Sequence, residues 1–273
     1  MIRDTVIEPP RGFAPLAWRD LVRHRELLGF LVWRDVIVRY KQTALGAAWA
    51  VLQAGLTIAV FTVLFGRLAG IDSEGVPYAV FSIAGVLPWL YFQNAVTHAA
   101  NSLVANQRLV TKVWFPRVFL PMASTAAALV DYAIAGVLLV GICAWHGVSP
   151  GAEILALPLA ILGAVVAANG AGMLLGALNV RYRDVRHVTP FLLQLWMFAT
   201  PVIYPPKLLP EGARSWLALN PMAGFVDAHR AAILPDKVVD WGAFGVSAAA
   251  AAVLWVVGAV VFRRAERTFA DVI

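Results

Sequence analysis

Aromatic rings and amides recur at helical spacing in two apolar stretches of the sequence. In the first stretch, five such side chains follow one another at every fourth position: Trp49, Gln53, Thr57, Phe61 and Phe65. A later stretch contains a similar series: His187, Phe191, Gln194, Phe198 and Pro201. Positions three or four apart lie on one face of a helix. Each series therefore predicts a stripe of rings and polar groups along one helix.

Such stripes suit a carbohydrate, because rings pack against the C–H faces of sugars while amides hydrogen-bond to their hydroxyls. We therefore expect a sugar-sized conduit with seven lining residues: Trp49, Gln53, Thr57, Phe61, Phe191, Gln194 and Phe198. The alternative is contact between packed helices, where a buried amide or hydroxyl contributes about 0.6 kcal/mol. We favour that alternative for a third stripe, formed by Tyr91, Asn94, His98 and Asn101.

Two ionisable side chains, Asp131 and His98, interrupt the apolar stretches. A carboxylate at mid-membrane costs about 2.5–3.5 kcal/mol on insertion scales, so Asp131 needs a partner or a proton. Its sequence neighbours Tyr132 and Ser124 are the partners that the sequence suggests. An ion-coupled carrier would have to work with this one acid and one histidine, which make a sparse proton relay.

Other kinds of chemistry are missing from the sequence. It contains no G-x-x-x-x-G-K-[ST] phosphate-binding loop and no H-E-x-x-H zinc motif. The single Cys143 rules out an intramolecular disulfide framework and a cysteine-rich metal site. No nucleophile stands beside a convincing base. We expect no catalytic site, metal or cofactor in this chain.

The composition indicates where the two stripes lie. Hydrophobic residues make up 60% of the chain and charged residues 14%, and the mean hydropathy is +0.74. Soluble domains have about 45–50% apolar and about 25% charged residues, so this is an integral membrane protein. Its spans must be helices, because lipid offers the backbone no hydrogen-bond partners. The net charge of +6 does not indicate nucleic acid, since the basic residues cluster at membrane boundaries.

Six stretches approach the roughly 20 apolar residues that a spanning helix needs. They are residues 44–66, 78–104, 118–145, 152–178, 188–204 and 240–262. The fifth is the shortest and ends in a cluster of prolines. With six spans, both termini lie on the same side of the membrane.

Lysine and arginine show which side that is, because cytoplasmic loops carry an excess of both. Eight basic residues precede the first span, and three lie in each of the two later connections on that side and in the C-terminal tail. These 17 compare with five on the opposite side. We expect both termini in the cytoplasm. The first forty residues also lack the hydrophobic core of a cleavable signal peptide, so the start is expected to be mature cytoplasmic sequence.

Two charged segments on the cytoplasmic side are expected to be helical. Residues 17–41 have apolar positions at helical spacing and arginines between them, which predicts an amphipathic helix in the membrane interface; an ordinary soluble amphipathic helix is the alternative. The short loop 105–117 carries Arg108 and Lys112 four apart, followed by an aromatic pair. It is either a stiff helical turn that transmits movement between the spans, or a positively charged membrane anchor that ends in a proline turn.

The long external loop, residues 205–237, is moderately apolar but too short to span. Asn220 is a plausible N-cap and Pro221 suits the first helical position. Together with the preceding "GARSWLAL", this segment predicts two short helices that dip back into the outer leaflet. Helices lying flat on the outer surface are the alternative.

Five stretches resemble the permease of ABC type-2 polysaccharide exporters, the family that exports O-antigen and teichoic acid. They are "WRDVIVRYKQTALGAAWAVLQ" (33–53), "LPWLYFQNAV" (87–96), "NQRLVTKVWFPRVFLPMAS" (106–124), "LNVRYRDVRHVTPFLLQLWMFATPVIYP" (178–205) and "LNPMAG" (219–224). The resemblance covers nearly the whole chain. It implies one transmembrane domain over residues 1–273, with an interfacial segment 1–43, a bundle 44–262 and a tail 263–273.

The resemblance also implies partners and a function. Such a subunit pairs with itself and with two copies of a separate ATPase, which binds ATP and magnesium. It moves lipid-linked polysaccharide across the bacterial inner membrane. By this likeness residues 106–117 contain the coupling helix, with Arg108, Lys112, Trp114, Phe115 and Arg117. Residues 17–41 are the interface helix, and 205–237 the external gate. The gate residues are Tyr204, Trp216, Asn220, Pro221 and Phe225. An exporter of a drug or small lipid has the same architecture and remains an alternative function.

Overall fold

The computed structural model describes residues 22–41, 46–210, 212, 217 and 219–269. All regular elements in these ranges are helical, with no strands among them, as the composition predicts. Five helical segments are long and apolar enough to cross a membrane: Ala48–Leu68, Tyr78–Ala105, Phe119–Trp145, Ala152–Arg181 and Trp241–Glu266. They correspond to five of the six predicted spans.

We label the α-helices in chain order. They are α1 Arg25–Tyr40, α2 Ala48–Phe61, α3 Tyr78–Ala105, α4 Gln107–Lys112, α5 Phe119–Trp145, α6 Leu157–Arg181, α7 Val185–Phe198, α8 Ala223–Ile233 and α9 Trp241–Glu266. A π-helical segment, Thr62–Leu68, continues α2. Short 3₁₀ turns occupy Ala152–Ala156 before α6 and Pro206–Leu208 after α7.

The centre of the bundle is α3, against which α2, α5, α6, α7 and α8 all pack. Small residues bring the helices close, as is typical where lipid gives no hydrophobic drive to association. A Cβ on Gly172 of α6 would lie 2.5 Å from the Cβ of Ala99 on α3. A Cβ on Gly258 of α9 would lie 2.2 Å from the carbonyl oxygen of Gly170. Only glycine fits at these two crossings.

The two ends of the bundle have separate cores. One core cluster joins the end of α3, α4, the start of α5 and the end of α9 through Leu103, Val110, Phe119 and Phe262. We call this the basic end, because residues 108–117 and 263–267 meet there. The other cluster, with Tyr78 and Leu234, lies at the opposite end.

The predicted fifth span differs most from the structure. Helix α7 begins at Val185 and ends at Phe198, and residues 199–204 form turns instead of continuing the helix to 204. Fourteen residues extend only about 21 Å, less than a hydrocarbon core of roughly 30 Å. Pro201 contributes to this end, because its ring cannot continue a helix.

The predicted external loop, residues 205–237, contains one α-helix that the structure describes in full, α8. It begins at Ala223, three residues after Asn220, so the N-cap prediction for Asn220 is wrong. The Asn220 Oδ1 instead accepts a hydrogen bond from the Met222 N–H at 3.0 Å, which holds a turn ahead of the helix. Helix α8 packs against α3, α6 and α9 and is almost entirely buried. The stretch "GARSWLAL", including Trp216, lies largely outside the described residues.

Candidate functional site

The ring-and-amide stripe of α7 lies on the surface of the chain. Phe191 is 61% exposed and Phe198 is 50% exposed. Gln194 is exposed between them. Helix α7 is strongly amphipathic. Leu193 and Thr189 lie on its other face and are buried against the bundle. The packing of the helix therefore leaves the predicted conduit residues of α7 uncovered.

The stripe of α2 is covered more unevenly. Trp49 is 60% exposed, whereas Gln53, Thr57 and Phe61 are half-buried. The Thr57 hydroxyl donates to the Gln53 carbonyl oxygen at 2.8 Å, so its hydrogen is used within its own helix. Phe61 meets Phe65 edge to face, with ring centroids 5.7 Å apart. The amide of Gln53 is the polar group of this stripe that is suited to an external ligand.

The two stripes lie on helices with different neighbours. Helix α2 packs on α3 and α5, whereas α7 packs on α3 and α6. Helix α3 is their shared support. The two stripes are thus two partly open faces of the bundle, both attached to the central helix α3.

The end of α7 is held by side chains from four other places in the chain. Asn220 Nδ2 donates to the Ala199 carbonyl at 3.2 Å and to the Thr200 hydroxyl at 2.8 Å. The Tyr78 hydroxyl donates to the Ile203 carbonyl at 2.7 Å. The Tyr204 hydroxyl donates to the Phe198 carbonyl at 3.1 Å. Phe198 carries one of the last carbonyls of α7, which have no partner within a helix, whereas Asn220 and Tyr78 bind groups of the turns that follow it.

Arg230 of α8 completes this arrangement. Its side chain is fully buried, and its Nη2 donates to the carbonyls of Pro201 and Val202 at 3.2 and 2.8 Å. The guanidinium carbon lies 3.9 Å from the centre of the Phe81 ring, a cation–π contact. Gly85 of α3 makes room, since a Cβ there would lie 2.3 Å from Nη2. We call residues 199–204 with these donors the carbonyl cage.

His229, next to Arg230, links α8 to two further helices. Its Nδ1 lies 2.7 Å from the Ala84 carbonyl oxygen and its Nε2 lies 2.8 Å from the Tyr132 hydroxyl. A carbonyl can only accept, so Nδ1 carries the hydrogen. Complete burial lowers the pKa of His229 and favours the neutral imidazole, in which Nε2 accepts from the Tyr132 hydroxyl. Sequence reasoning missed His229, Arg230 and Tyr78; the signal was a His–Arg pair inside an apolar loop segment.

The predicted gate residues fall into two groups. Tyr204 and Asn220 belong to the carbonyl cage, and Asn220 also accepts from the Trp196 indole at 3.0 Å. Pro221 is half-buried beside them. Phe225 is 1% exposed and packs edge to face on Phe244 at 5.3 Å. It lies in the core, where it fastens α8 to α9.

The loop at the basic end divides into an exposed and a buried set. Arg108, Lys112 and Trp114 are exposed, the last to 64%. Phe115 is 6% exposed and joins the core cluster of that end. Arg117 donates from Nη1 to the Glu266 carbonyl at 2.6 Å, which ties the loop to the end of α9. The loop therefore presents two cations and an indole from a firmly seated support.

A polar cavity of about 920 Å³ lies among the loops at the opposite end. Its charged groups bind one another: Lys237 Nζ is 2.9 Å from Glu74 and 2.9 Å from Asp227. Among the residues that the structure describes, no cluster of three acidic, histidine or cysteine side chains is arranged to hold a metal. The cavity adds no catalytic or metal chemistry to the arrangement.

Comparison with known proteins identifies the family. Residues 26–234, about three quarters of the chain, match the family model described as ABC-2 type transporter. The chain belongs to the ABC-2 type transporter family. The matched region begins in α1 and ends directly after α8, so it includes both stripes, the basic-end loop and the carbonyl cage.

Named relatives of this ABC-2 transporter match over nearly full length. The O-antigen export system permease protein RfbA of Myxococcus xanthus is 31% identical over 255 residues, 93% of this chain and 97% of the relative. The protein of the same name from Klebsiella pneumoniae is 24% identical over 91% of this chain and 95% of the relative. The polysialic acid transport protein KpsM of Escherichia coli is 21% identical over 85% and 91%.

Asp131 of this ABC-2 transporter is ion-paired. Its two carboxylate oxygens accept hydrogen bonds from Arg39 and Tyr40 of α1. The suggestion of Tyr132 or Ser124 as partners is wrong, because Tyr132 bonds to His229 and Ser124 bonds to Asp35 at 3.2 Å. The true partners stand about ninety positions away. Burial, reinforced by the bond to Asp131, raises the pKa of the Tyr40 phenol, which keeps it a donor.

The third polar stripe holds two helices together at one position. As predicted, Asn101 of α3 takes part in helix contact: its Oδ1 accepts from Asn179 Nδ2 of α6 at 3.2 Å. Asn179 also donates to the Ala100 carbonyl at 2.9 Å. His98, in the same stripe, is exposed.

Proposed function

We propose that this chain is the transmembrane subunit of an ATP-driven exporter of lipid-linked polysaccharide. The observation that carries the proposal is the near full-length match to proteins named O-antigen export permeases. Relatives named for polysialic acid and capsule polysaccharide export point to the same substrate class. An exporter of a drug or small lipid is less well supported, since none of these names refers to such a substrate.

The subunit works within a larger assembly in this proposal. Two copies pair through the open faces of α2 and α7, and two copies of a separate ATPase bind ATP and magnesium. ATP hydrolysis therefore lies outside this chain. The domain comprises residues 1–273, with an interfacial segment 1–43, a bundle 44–262, a gate loop 205–237 and a tail 263–273. Counting α7 with the turns of 199–204 gives six passages through the bacterial inner membrane, with both termini cytoplasmic.

The proposal is tested by purifying the chain with the ATPase encoded nearby and reconstituting both in proteoliposomes. Candidate lipid-linked glycans should stimulate ATP hydrolysis and move to the opposite face. Lys112→Glu should abolish transport while the protein stays folded and inserted. Arg67→Glu, an exposed charge reversal at the opposite end of the bundle, is the matched control and should transport normally. No association with the ATPase, and no response to any glycan, would overturn the proposal.

The orientation has its own test. After replacement of Cys143, a cysteine at Pro210 should react with an impermeant reagent added outside, and a cysteine at Asn106 should not. The physical basis is the 17-to-5 division of basic residues. The reverse labelling pattern would show that the termini lie outside and that residues 106–117 cannot meet a cytoplasmic ATPase.

The conduit is tested at Gln53. In lipid its amide would be a net cost, whereas in a wet passage it can meet successive hydroxyls. Gln53→Leu should leave insertion and pairing intact, whereas Gln53→Trp should block export. A cysteine at 53 should react with small polar thiol reagents during ATP turnover. Val137→Trp, at an exposed position of α5, is the control and should export normally. Normal export by Gln53→Trp with an inert cysteine would make the stripe a helix contact.

A further inference from the structure

Helix α1 runs alongside α5 for several turns. Near its middle, Leu31 is 2% exposed and lies in the same core cluster as Phe119 and Leu120, at the start of α5. One turn further along α1, Asp35 accepts a hydrogen bond from Ser124 at 3.2 Å. The last residues of α1 reach Asp131. The contacts advance in the same direction on both helices, so α1 and α5 lie side by side and run parallel.

The contact at Asp131 lies deep in the span. Asp131 follows the first residue of α5 by twelve positions, which corresponds to about 18 Å along the helix. Arg39 and Tyr40 bind its two carboxylate oxygens separately, and the Arg39 and Asp131 side chains are only 19% and 15% exposed. Two consecutive residues of α1 are thus attached to one carboxylate, which fixes both the position and the rotation of the end of α1.

Other charges near this contact are already matched. Asp35 is ion-paired with its neighbour Arg34 at 2.8 Å. Among the residues that the structure describes, His98 of α3 also faces Arg39 and Asp131. The charges of Arg34 and Arg39 balance those of Asp35 and Asp131. The geometry of the cluster suits the attachment of α1 to α5.

The other end of α1 touches the loop at the basic end. The ring of His24, just before α1, meets the Trp114 indole edge to face with centroids 5.9 Å apart. Trp114 belongs to the exposed set that the family resemblance places in the coupling helix, which would meet the ATPase. Helix α1 therefore connects that surface with a point well inside the third span.

We propose that Asp131 is a positioning residue that anchors α1, so that movement of the ATPase-facing loop reaches the membrane-embedded part of α5. The inference rests on the proposed function for the source of the movement, whereas the anchoring itself does not. Without this anchor, the ATPase should still hydrolyse ATP, but the resulting movement of the loop should not reach α5. The quantity that changes is the amount of glycan exported per ATP hydrolysed.

The experiment compares variants of the full complex in proteoliposomes. Asp131→Asn should bind the ATPase normally but lower the export per ATP by about tenfold, in the range of ordinary coupling energies. The exchange of charges in Arg39→Asp/Asp131→Arg should restore most of the loss. Tyr40→Phe keeps the ion pair and should lower the ratio by only about twofold. Asp184→Asn, an exposed carboxylate at the basic end, is the matched control and should match the wild type.

A second measurement needs no substrate. Cysteines at 35 and 124, in a chain without Cys143, should form a disulfide in membranes, and Asp131→Asn should reduce its yield. An unchanged export ratio and an unchanged disulfide yield in Asp131→Asn would overturn the inference. Failure of the charge exchange to restore export would also overturn it and would indicate a proton-linked role for Asp131. If the wild type binds no ATPase but the disulfide yield falls as expected, the proposed function fails and the anchor stands.

Discussion

The basic end and the opposite end of the bundle use polar side chains in contrasting ways. At the basic end, Phe115 holds the loop to the core while Arg108, Lys112 and Trp114 stay exposed. At the opposite end, Arg230 turns inwards and binds backbone carbonyls. Burial separates the two roles: exposed cations on a fixed support suit a protein partner, whereas buried cations stabilise backbone that has left its helix.

The largest effect that would test this contrast is expected from two neighbours in the basic-end loop. Phe115→Ala should lower the free energy of unfolding by about 3 kcal/mol, because it empties a packed core position. Trp114→Ala should leave stability nearly unchanged but weaken binding of the ATPase. Thermal unfolding in detergent and a pull-down of the ATPase measure the two effects. Equal stability losses in both variants would remove the distinction between support and contact surface.

A smaller effect is expected at the carbonyl cage. Gly85→Ala should destabilise the protein by about 1–3 kcal/mol, the usual cost of overpacking, because the new Cβ would lie 2.6 Å from the Val202 carbonyl oxygen. Gly136→Ala in α5 is the matched control. Nothing lies within 4 Å of a Cβ there, so the variant should gain up to about 1 kcal/mol from helix propensity. An unchanged free energy of unfolding in Gly85→Ala would mean that the carbonyl cage rearranges at little cost.

The smallest effect concerns the link between α5 and α8. Tyr132→Phe removes the hydroxyl that donates to His229 Nε2 and should cost about 1 kcal/mol. The variant keeps the ring, whose edge-to-face packing on His229 has a centroid distance of 6.0 Å. Differential scanning measurements in detergent would detect the change. No loss of stability would indicate that the cage is held by Arg230 and Asn220 without this bond.

The sequence predicts the long spans well because length and hydropathy alone decide them. Residues 78–105 and 119–145 begin and end within a residue of the predicted limits. The early end of α7 depends on donors outside it: Asn220 and Arg230 lie 20 and 28 positions after groups that they bind, and Tyr78 lies 125 positions before its acceptor. Local reasoning continues a helix through apolar residues, since it has no means of finding donors outside the segment.

The candidate site shows the same limit. The exposure of Trp114 and the burial of Phe115 depend on which side of one loop meets the core, and an aromatic pair does not reveal this. The sequence suggests partners for Asp131 within two turns, at Tyr132 and Ser124, but the actual partners lie on α1, about ninety positions away. In contrast, helical periodicity alone predicts that the stripe of α7 and Trp49 of α2 share exposed faces. It needs only the spacing of residues along one helix.

The attachment of α1 to the third span also sets an order of events during synthesis. Arg39 stands 92 positions before Asp131, an interval that takes about 5–20 s at ribosomal rates of 5–20 residues per second. Throughout that interval α1 has been made but its binding face on α5 has not. The N-terminal arm can dock only after the third span has entered the bilayer. The first helix that the structure describes is thus among the last to reach its final position in the bundle.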